Sequence, residues 1–418
     1  MARLLFSISL LFSQYSLSDS TSVAGEYLVK LIKEFHHKSA AEVAKILATK
    51  GAEKLPGIDN WYKVTNQKEK SLRMNPAVEF VEPNFFYYAV EIPNDPNYFE
   101  QWGMNNRGQN DKDGKAGQVG VDIKIEEAWR LSTGSHATVV AVIDTGIDGH
   151  HRDLKDNLWV NERELNGKPG VDDDGNGYVD DVNGYNFYAA TADSTDDHGH
   201  GSHCAGVIGA KGNNGFGMAG INWQVQMMSV KFLNSSGSGT AEGAIKAIVY
   251  AVDNGAKILS NSWGGGRKSK ALEEAIEYAN AKGVLFVVAA GNTGKDIDKE
   301  PHYPASYNLA NMISVAAINN QGLLPDWTNY GENSVDLAAP GENIFSTLLK
   351  DSFGHMSGTS MATPFVSGVA GLVFSLHPEF NHYQLKERIL QTANKLSHLE
   401  KKVRTGGMLS AAGALKDL

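Results

Sequence analysis

The stretch HGHGSHCAG (198–206) carries four side chains that can take up protons or bind metals: His198, His200, His203 and Cys204. Cys204 is the only cysteine among 418 residues, so no disulfide can form within the chain. Three chemistries are open to such a cluster: a zinc site, a thiol nucleophile, or a general base with packed neighbours. Zinc needs His, Cys or carboxylate ligands converging as a tetrahedron. In a helix opening at His200, the residues His200, His203, Cys204, Val207 and Ile208 fall on one stripe, because helical positions three and four apart share a face. A stripe that runs on into valine and isoleucine faces a core. His203 and Cys204 are therefore expected beneath a site rather than as ligands. Gly201, Gly206 and Gly209 mark a helix packed closely against its neighbours. His200 differs, because it opens the helix and can reach out of the core. His198 is expected at the surface, without a role.

A histidine base needs a carboxylate on one ring nitrogen and a nucleophile on the other. Asp144 closes the apolar run ATVVAVID (137–144); alone, it could equally be a turn or cap residue. Ser360, in SGTSMATPFVSGVAGLVF (357–374), opens a helix of small and apolar residues, where Pro364 is tolerated only in the first turn. A lone serine there would be read as a helix cap. Asn292, at the end of VVAAGN, could likewise be an ordinary turn residue.

The elements that must hold these residues follow from periodicity. ATVVAVID, QVQMMSVKFL (224–233), AKILSNSW (256–263), GVLFVVAAGN (283–292) and MISVAAI (312–318) are apolar, β-branched runs. Such runs belong to parallel strands buried on both faces. Between them, TAEGAIKAIVYAVDNGA (240–256) and SKALEEAIEYANAKG (269–283) have helical spacing, each starting at Thr or Ser and stopping at a glycine. The alternation predicts an α/β fold with a mostly parallel sheet, in which ligands bind beyond the carboxyl ends of the strands. Asp144 and Asn292 both sit at such ends. Residues 25–90 read as a separate small α+β module: strand-like GEYLVKLI, helical SAAEVAKILATKG, strand-like VEFVEPNFFYYAV. PNDPN (93–97) then marks a linker.

The net charge of −10 argues against phosphate-backbone binding as the main activity. No internal repeat or low-complexity tract is present, and no apolar run reads as long enough to cross a bilayer. Arg3, the apolar LLFSISLLF (4–12) and a serine-rich stretch to Ser20 predict a secretory signal peptide cleaved near Ser18.

Together, VIDTGIDGHHRDL around Asp144, HGSHCAG at His200, NSWGG (261–265), AAGN ending at Asn292 and SGTSMATP around Ser360 resemble the subtilisin-like serine proteases, the subtilases. The chain order Asp, His, Ser is the known order of subtilisin. The resemblance covers 93–418 as a catalytic domain with a subtilisin-like three-layer fold. Residues 25–90, with their VEPN segment, are similar to the family's inhibitory, folding-assisting propeptide. It implies that Asp144 orients His200, that His200 takes the proton of Ser360, and that Asn292 and the Ser360 N–H bind the oxyanion. Many family members carry valine where Cys204 stands; cysteine there resembles the proteinase K branch, with a buried thiol beneath the catalytic histidine. On residue chemistry alone, Cys204 is a small packed hydrophobe.

The resemblance also implies a specificity pocket with Ser262, Trp263 and Gly264 as one wall and Ala289, Ala290 and Gly291 as the other. Backbone from such segments pairs with an extended peptide as an added strand. His302 aligns with the pocket base, where a smaller residue is common, and this argues against a deep aromatic preference. Asp296, Asp298 and Glu300 lie nearby in sequence and read either as a preference for basic substrates or as a solvated loop.

GVDDDGNGYVDD (170–181) places Asp172, Asp174 and Asn176 at alternate positions, followed by Gly177 and Tyr178. This matches the first half of an EF-hand loop, with oxygen ligands at alternate positions and a carbonyl at Tyr178. The twelfth position is Asn183 rather than glutamate, so Asp180 or Asp181 is left to complete the shell; the plain alternative is an acidic surface turn. By resemblance, a second calcium site uses Asp95, Asp153, the Asn214 side chain and the carbonyls of Gly212, Phe216 and Met218.

The sequence thus predicts a secreted serine endopeptidase made as a pre-pro-enzyme: signal peptide 1–20, propeptide 25–90, catalytic domain 93–418. Structural calcium is its expected cofactor. Polypeptides are its expected substrates and its own propeptide its intramolecular inhibitor. A monomer is expected, without nucleic acid or membrane anchor. Two other classes compete. A protease-shaped binding module is opposed by the complete triad and Asn292. An esterase of the α/β-hydrolase type is opposed by the lack of G-x-S-x-G at Ser360.

Overall fold

The computed structural model describes residues 22–35, 37–65, 67–85, 92–265 and 267–416. The expected signal peptide lies outside the described residues, as does the end of the expected strand at 86–90. The chain forms two compact units, one holding the described residues up to 85 and the other residues 92–416.

The first unit has strands β1 (Ser22–Leu31), β2 (Gly51–Lys54), β3 (Trp61–Thr65) and β4 (Val78–Phe85) and helices α1 (Ala40–Ile46) and α2 (Glu69–Arg73). Its sheet is antiparallel throughout, in the order β2-β3-β1-β4. Val29, Leu31, Tyr62, Val64 and Val81 project from the sheet onto Val43 and Leu47 of the first helix region and Leu72 of the second, forming one core. A Ser39–Glu42 capping box opens α1. The helix was expected to run to Gly51. It stops at Ile46, because Ala48 adopts φ +51 and Gly51 already begins β2.

The second unit carries strands β5 (Gly134–Asp144), β6 (Gly184–Asn186), β7 (Gln224–Lys231), β8 (Ile258–Asn261), β9 (Leu285–Ala289) and β10 (Met312–Ile318). They are followed by β11 (Leu337–Pro340), β12 (Ile344–Thr347), β13 (Phe353–Met356), β14 (Asn394–Lys395) and β15 (Gly407–Met408). Its helices are α3 (Ile125–Trp129), α4 (Glu162–Leu165), α5 (His200–Gly209), α6 (Ala241–Asp253), α7 (Lys270–Ala281), α8 (Thr359–Leu376), α9 (His382–Gln391) and α10 (Ala411–Leu415). Nine strands form one sheet in the order β14-β15-β11-β10-β9-β8-β5-β7-β6. All neighbours are parallel except β14 and β15. β12 and β13 form a separate hairpin.

Both faces of the sheet are covered, as the continuous apolar strands require. Ala141, Ile143, Met228, Val230, Leu259, Phe286 and Val288 face α6 and α7 in one core. Alternate residues face α5 and α8: Gly209 packs on Val225 and Met227, Gly371 on Val140, and Ser367 bonds Ser260 at 3.0 Å. This is the expected three-layer α/β arrangement. From β5 the chain builds outward through β7 on one side and through β8 to β11 on the other. The topological switch point therefore lies at the carboxyl end of β5, which is Asp144.

Two expectations change. Helix α5 is not striped; every residue from Gly201 to Gly209 is buried, because its small residues let neighbours pack on all sides. Helix α8 is long and apolar enough to cross a membrane by length and composition, whereas no apolar run was expected to reach that length. It lies mostly inside this unit, packed against α5 and the sheet.

Candidate active site

Asp144 is fully buried, and its Oδ1 lies 2.7 Å from His200 Nδ1. His200 is the first residue of α5, brought to the end of β5 by the glycine that follows it. A Cβ at Gly201 would stand 2.1 Å from the Gly146 carbonyl oxygen and 3.2 Å from Asp144 Cβ. Asp196 holds the start of the helix in place of an ordinary cap. One of its oxygens accepts from the N–H groups of His198 and Gly199 and from the Thr145 hydroxyl, and the other accepts from the N–H and hydroxyl of Ser202. Lys231 ties the next turn down by donating to the carbonyls of Thr145 and Leu233 and to Asp197. Burial disfavours the imidazolium form of His200. The charge of Asp144, the hydrogen bond to it and the charge of Asp196 outweigh burial, so the His200 pKa is raised.

The other members of the cluster settle beneath this pair. His203 is buried and bonds the Ile344 carbonyl at 2.9 Å; burial lowers its pKa to about 3. Asp144, His200 and Cys204 do offer ligand atoms within 4.8 Å of one another. However, burial pushes the Cys204 thiol well above its usual pKa, its Sγ–H points at the Ser360 carbonyl at 3.5 Å, and His200 Nδ1 is already engaged by Asp144. A protonated thiol suits neither zinc nor nucleophilic attack. His198 is exposed.

Ser360 is the second residue of α8, so its N–H belongs to the helix start and has no partner among the described residues. Its hydroxyl donates to the Ser262 carbonyl at 3.0 Å, while the Ser262 hydroxyl donates to the Ser360 carbonyl at 2.8 Å. No hydrogen bond between Ser360 and His200 forms among the described residues. A catalytic contact between Ser360 Oγ and an imidazole commonly tightens only with substrate bound. Asn292 Oδ1 accepts from both the N–H and the hydroxyl of Thr359, at 2.8 and 2.9 Å. Thr359 Oγ1 in turn accepts from the Gly291 N–H at 3.0 Å. With its oxygen held, the Asn292 amide presents an NH₂ group that has no hydrogen-bond partner among the described residues. The sequence does not give the orienting roles of Thr359, inside SGTSMATP, and of Asp196, before HGHGSHCAG, because each acts through contacts with residues far along the chain.

Ser262, Trp263 and Gly264 continue from β8, and Ala290 and Gly291 continue from Ala289 at the end of β9. The two extensions flank Ser360 through Ser262 and Asn292 through Thr359. His302 reaches between them: its Nε2 lies 2.9 Å from where a Cβ would stand on Gly264 and 2.7 Å from that position on Gly291. The nearby acids all have partners elsewhere. Asp296 pairs with Lys299, Asp298 accepts from Asn333 and Ser334, and Glu300 pairs with Lys295. The solvated-loop reading of this segment accounts for them.

Residues 135–412 match the profile of the Subtilase family. The chain belongs to the subtilase family of subtilisin-like serine endopeptidases. It is 35% identical over 384 residues to a thermophilic serine proteinase from Bacillus sp. (strain AK1), covering 90% of this chain and 83% of the relative. It is also 35% identical over 320 residues to subtilisin-like protease 1 of Plasmodium berghei (strain Anka), covering 72% of this chain. The chain spans about half the length of that relative, 53%. A cold-adapted subtilisin-like serine proteinase of known crystal structure superposes with a TM-score of 0.56 at 26% identity, covering 74% of this chain and 97% of its own.

Two further clusters lie in the subtilase unit. In the first, Asp95 accepts from the N–H groups of Asn213 and Asn214, and Asp153 accepts from the Asn214 side chain at 2.8 Å and the Met218 N–H at 3.0 Å. The loop that carries Gly212, Asn214, Phe216 and Met218 is thus folded onto both carboxylates. Burial and the charge of Asp95 raise the Asp153 pKa to about 7, and burial raises that of Asp95. Two buried carboxylates amid amides and carbonyls fit a hard cation. In the second, Asp172, Asp174 and Glu164 bring carboxylate oxygens within 4.8 Å. Glu164, on α4, was missed because nothing in the chain links it to the loop. Asp181 is not in this group: its oxygens accept from Asn161, Asn176 and the Tyr250 hydroxyl, and burial raises its pKa to about 6. Asn176 turns its oxygen to the Tyr178 N–H, and the Tyr178 ring packs on Tyr185, Phe187 and Tyr250.

Proposed function

We propose that the chain hydrolyses peptide bonds through an acyl-enzyme on Ser360. The observation that carries this is the 2.7 Å Asp144–His200 contact beside a helix-start serine flanked by an Asn292 donor without a partner among the described residues. Ser360 Oγ attacks the substrate carbonyl carbon as its proton passes to His200 Nε2. Negative charge gathers on the carbonyl oxygen, within reach of Asn292 Nδ2 and the Ser360 N–H. The C–N bond then breaks, and His200 gives its proton to the departing amine. Water, deprotonated by His200, releases the acyl group and restores Ser360. Asp144 holds the imidazole with Nδ1–H toward itself and stabilises the imidazolium.

The wider reading is of a secreted pre-pro-enzyme. Residues 1–20 serve as its signal peptide, and the unit within 25–90 serves as an inhibitor released by the enzyme's own activity. Calcium held by Asp95, Asp153 and the 212–218 loop, and by Asp172, Asp174 and the carbonyl-bearing turn to Tyr178, would offset the clustered carboxylate charge in the native state. Glu164 completes the second donor set. In Ser360→Ala, purified alone, the full-length chain should persist without processing. Normal release of the first 90 or so residues would overturn autoprocessing. Turnover of casein by the Ser360→Ala protein would overturn the catalytic assignment.

A further inference from the structure

His198 and His200 stand on either side of Gly199. Gly199 takes φ +97, a left-handed conformation in which the chain turns sharply into α5. One oxygen of the buried Asp196 holds the turn, accepting from the His198 and Gly199 N–H groups at 2.9 Å each. As a result the two imidazoles meet edge to face, with centroids 6.2 Å apart and planes at 71°. The backbone under both rings is fixed. The His198 ring is exposed and makes no hydrogen bond among the described residues.

What such a pair can bind follows from the nitrogens left open. His200 gives Nδ1 to Asp144 at 2.7 Å, so its open nitrogen is Nε2. A histidine whose second nitrogen is tied to a carboxylate is the usual form of a zinc ligand, because the carboxylate orients the ring and raises its basicity. The negative charges of Asp144 and Asp196 act on this ring and favour a cation beside it. His198 can ligate through either nitrogen. Two imidazoles on one tetrahedral zinc, with bonds of about 2.0 Å, have ring centroids about 5 Å apart. The observed 6.2 Å exceeds this by about 1 Å, a gap that the unattached His198 side chain can close. Water fills the remaining positions, as at open zinc sites. Calcium and magnesium prefer oxygen ligands and gain nothing from the pair.

We propose that His198 and His200 form a zinc-binding pair that inhibits the enzyme; the inhibition, though not the binding, rests on the proteolytic reading above. Zinc on His200 Nε2 takes the lone pair that would receive the Ser360 proton. The serine then keeps its proton and no acyl-enzyme forms. Withdrawal of the ion returns the base.

The test uses the active enzyme with calcium in excess, so that the carboxylate clusters are supplied with their own cation, and zinc chloride as the probe. Calorimetric titration and peptide turnover are measured side by side for the natural chain, His198→Ala and Cys204→Val. The natural chain should take up zinc and lose turnover over the same concentration range, and should recover on dilution into zinc-free buffer. His198→Ala should keep the basal rate, while its zinc affinity and its sensitivity to zinc both fall by about tenfold or more, at least the loss that follows removal of a residue that merely supports a zinc ligand. Cys204→Val should stay as sensitive as the natural chain, because the thiol is not a ligand. No zinc uptake by the natural chain, equal affinity in His198→Ala, or a loss in Cys204→Val instead would overturn the site. Zinc uptake that depends on His198 yet leaves turnover unchanged would overturn the inhibition, and with it the reading of His200 as the base.

Discussion

Asn292 has one acceptor and one donor group on its side chain, and Thr359 takes the acceptor twice. That division of labour makes the NH₂ group available for a developing oxyanion. Asn292→Ala should therefore lower kcat by about 10²–10³ with little change in KM, since the lost bond belongs to the transition state. Steady-state kinetics on one peptide would decide it, and unchanged turnover would remove Asn292 from the oxyanion site. His200 must be neutral to accept a proton, and its pKa is raised by Asp144 and Asp196 against burial. The acidic limb of kcat/KM should therefore inflect above ~6.5, the ordinary histidine value. An inflection below that value would contradict the electrostatics of the site. His203 behaves oppositely, with its folded pKa lowered to about 3 by burial. Between that value and ~6.5 the unfolded chain binds the extra proton, so the contribution of His203 is full above the window and lost as pH falls through it, by up to about 1.4 kcal/mol per pH unit. Urea midpoints of Ser360→Ala from pH 7 to pH 4 should fall more steeply than those of the same protein carrying His203→Gln.

At the scale of elements, the site depends on how closely α5 approaches its neighbours. A Cβ on Gly206 would meet Thr347 Oγ1 at 2.2 Å and Ser346 Oγ at 2.4 Å, hydroxyls that bond the Ser202 and His203 carbonyls. Gly206→Ala should cost about 1–3 kcal/mol of stability, the range for overpacking a filled core. Gly201→Ala acts at the other end, against Gly146 and Asp144. It should depress kcat/KM by displacing His200, and a variant of normal activity would show that the approach is not needed. The sequence reveals β5, β7, β8, β9 and β10 because long apolar runs have only one comfortable place, the middle of a covered sheet. It reveals α6 and α7 because Thr240 and Ser269 cap them. It hides the burial of α5 on all sides, since glycine, alanine and serine have no preferred face. It also gives no sign of β14 or β15, two residues each, which owe their pairing to the fold around them. Asp144, His200, Ser360 and Asn292 could be picked out because each stands at the end of a recognisable element. Glu164 could not, since its proximity to Asp172 and Asp174 exists only in three dimensions.

At the scale of the whole molecule, the buried acids at Asp95 and Asp153 cost stability unless a cation joins them. Calcium that binds only the native state adds RT ln(1 + [L]/Kd), about 2.7 kcal/mol at a hundredfold excess over Kd. Chelation should therefore lower the melting temperature of the Ser360→Ala protein, and Asp153→Asn should shrink that difference. Equal melting curves with and without chelator would remove both calcium assignments. The central claim is narrower: one serine, activated by His200, is the nucleophile. Peptide mass spectrometry after treatment with an aryl sulfonyl fluoride or organophosphorus fluoride tests it most directly. The adduct should lie on Ser360 alone and should be lost in His200→Ala. An adduct on Cys204, or equal labelling of Ser360 in the absence of His200, would contradict the account.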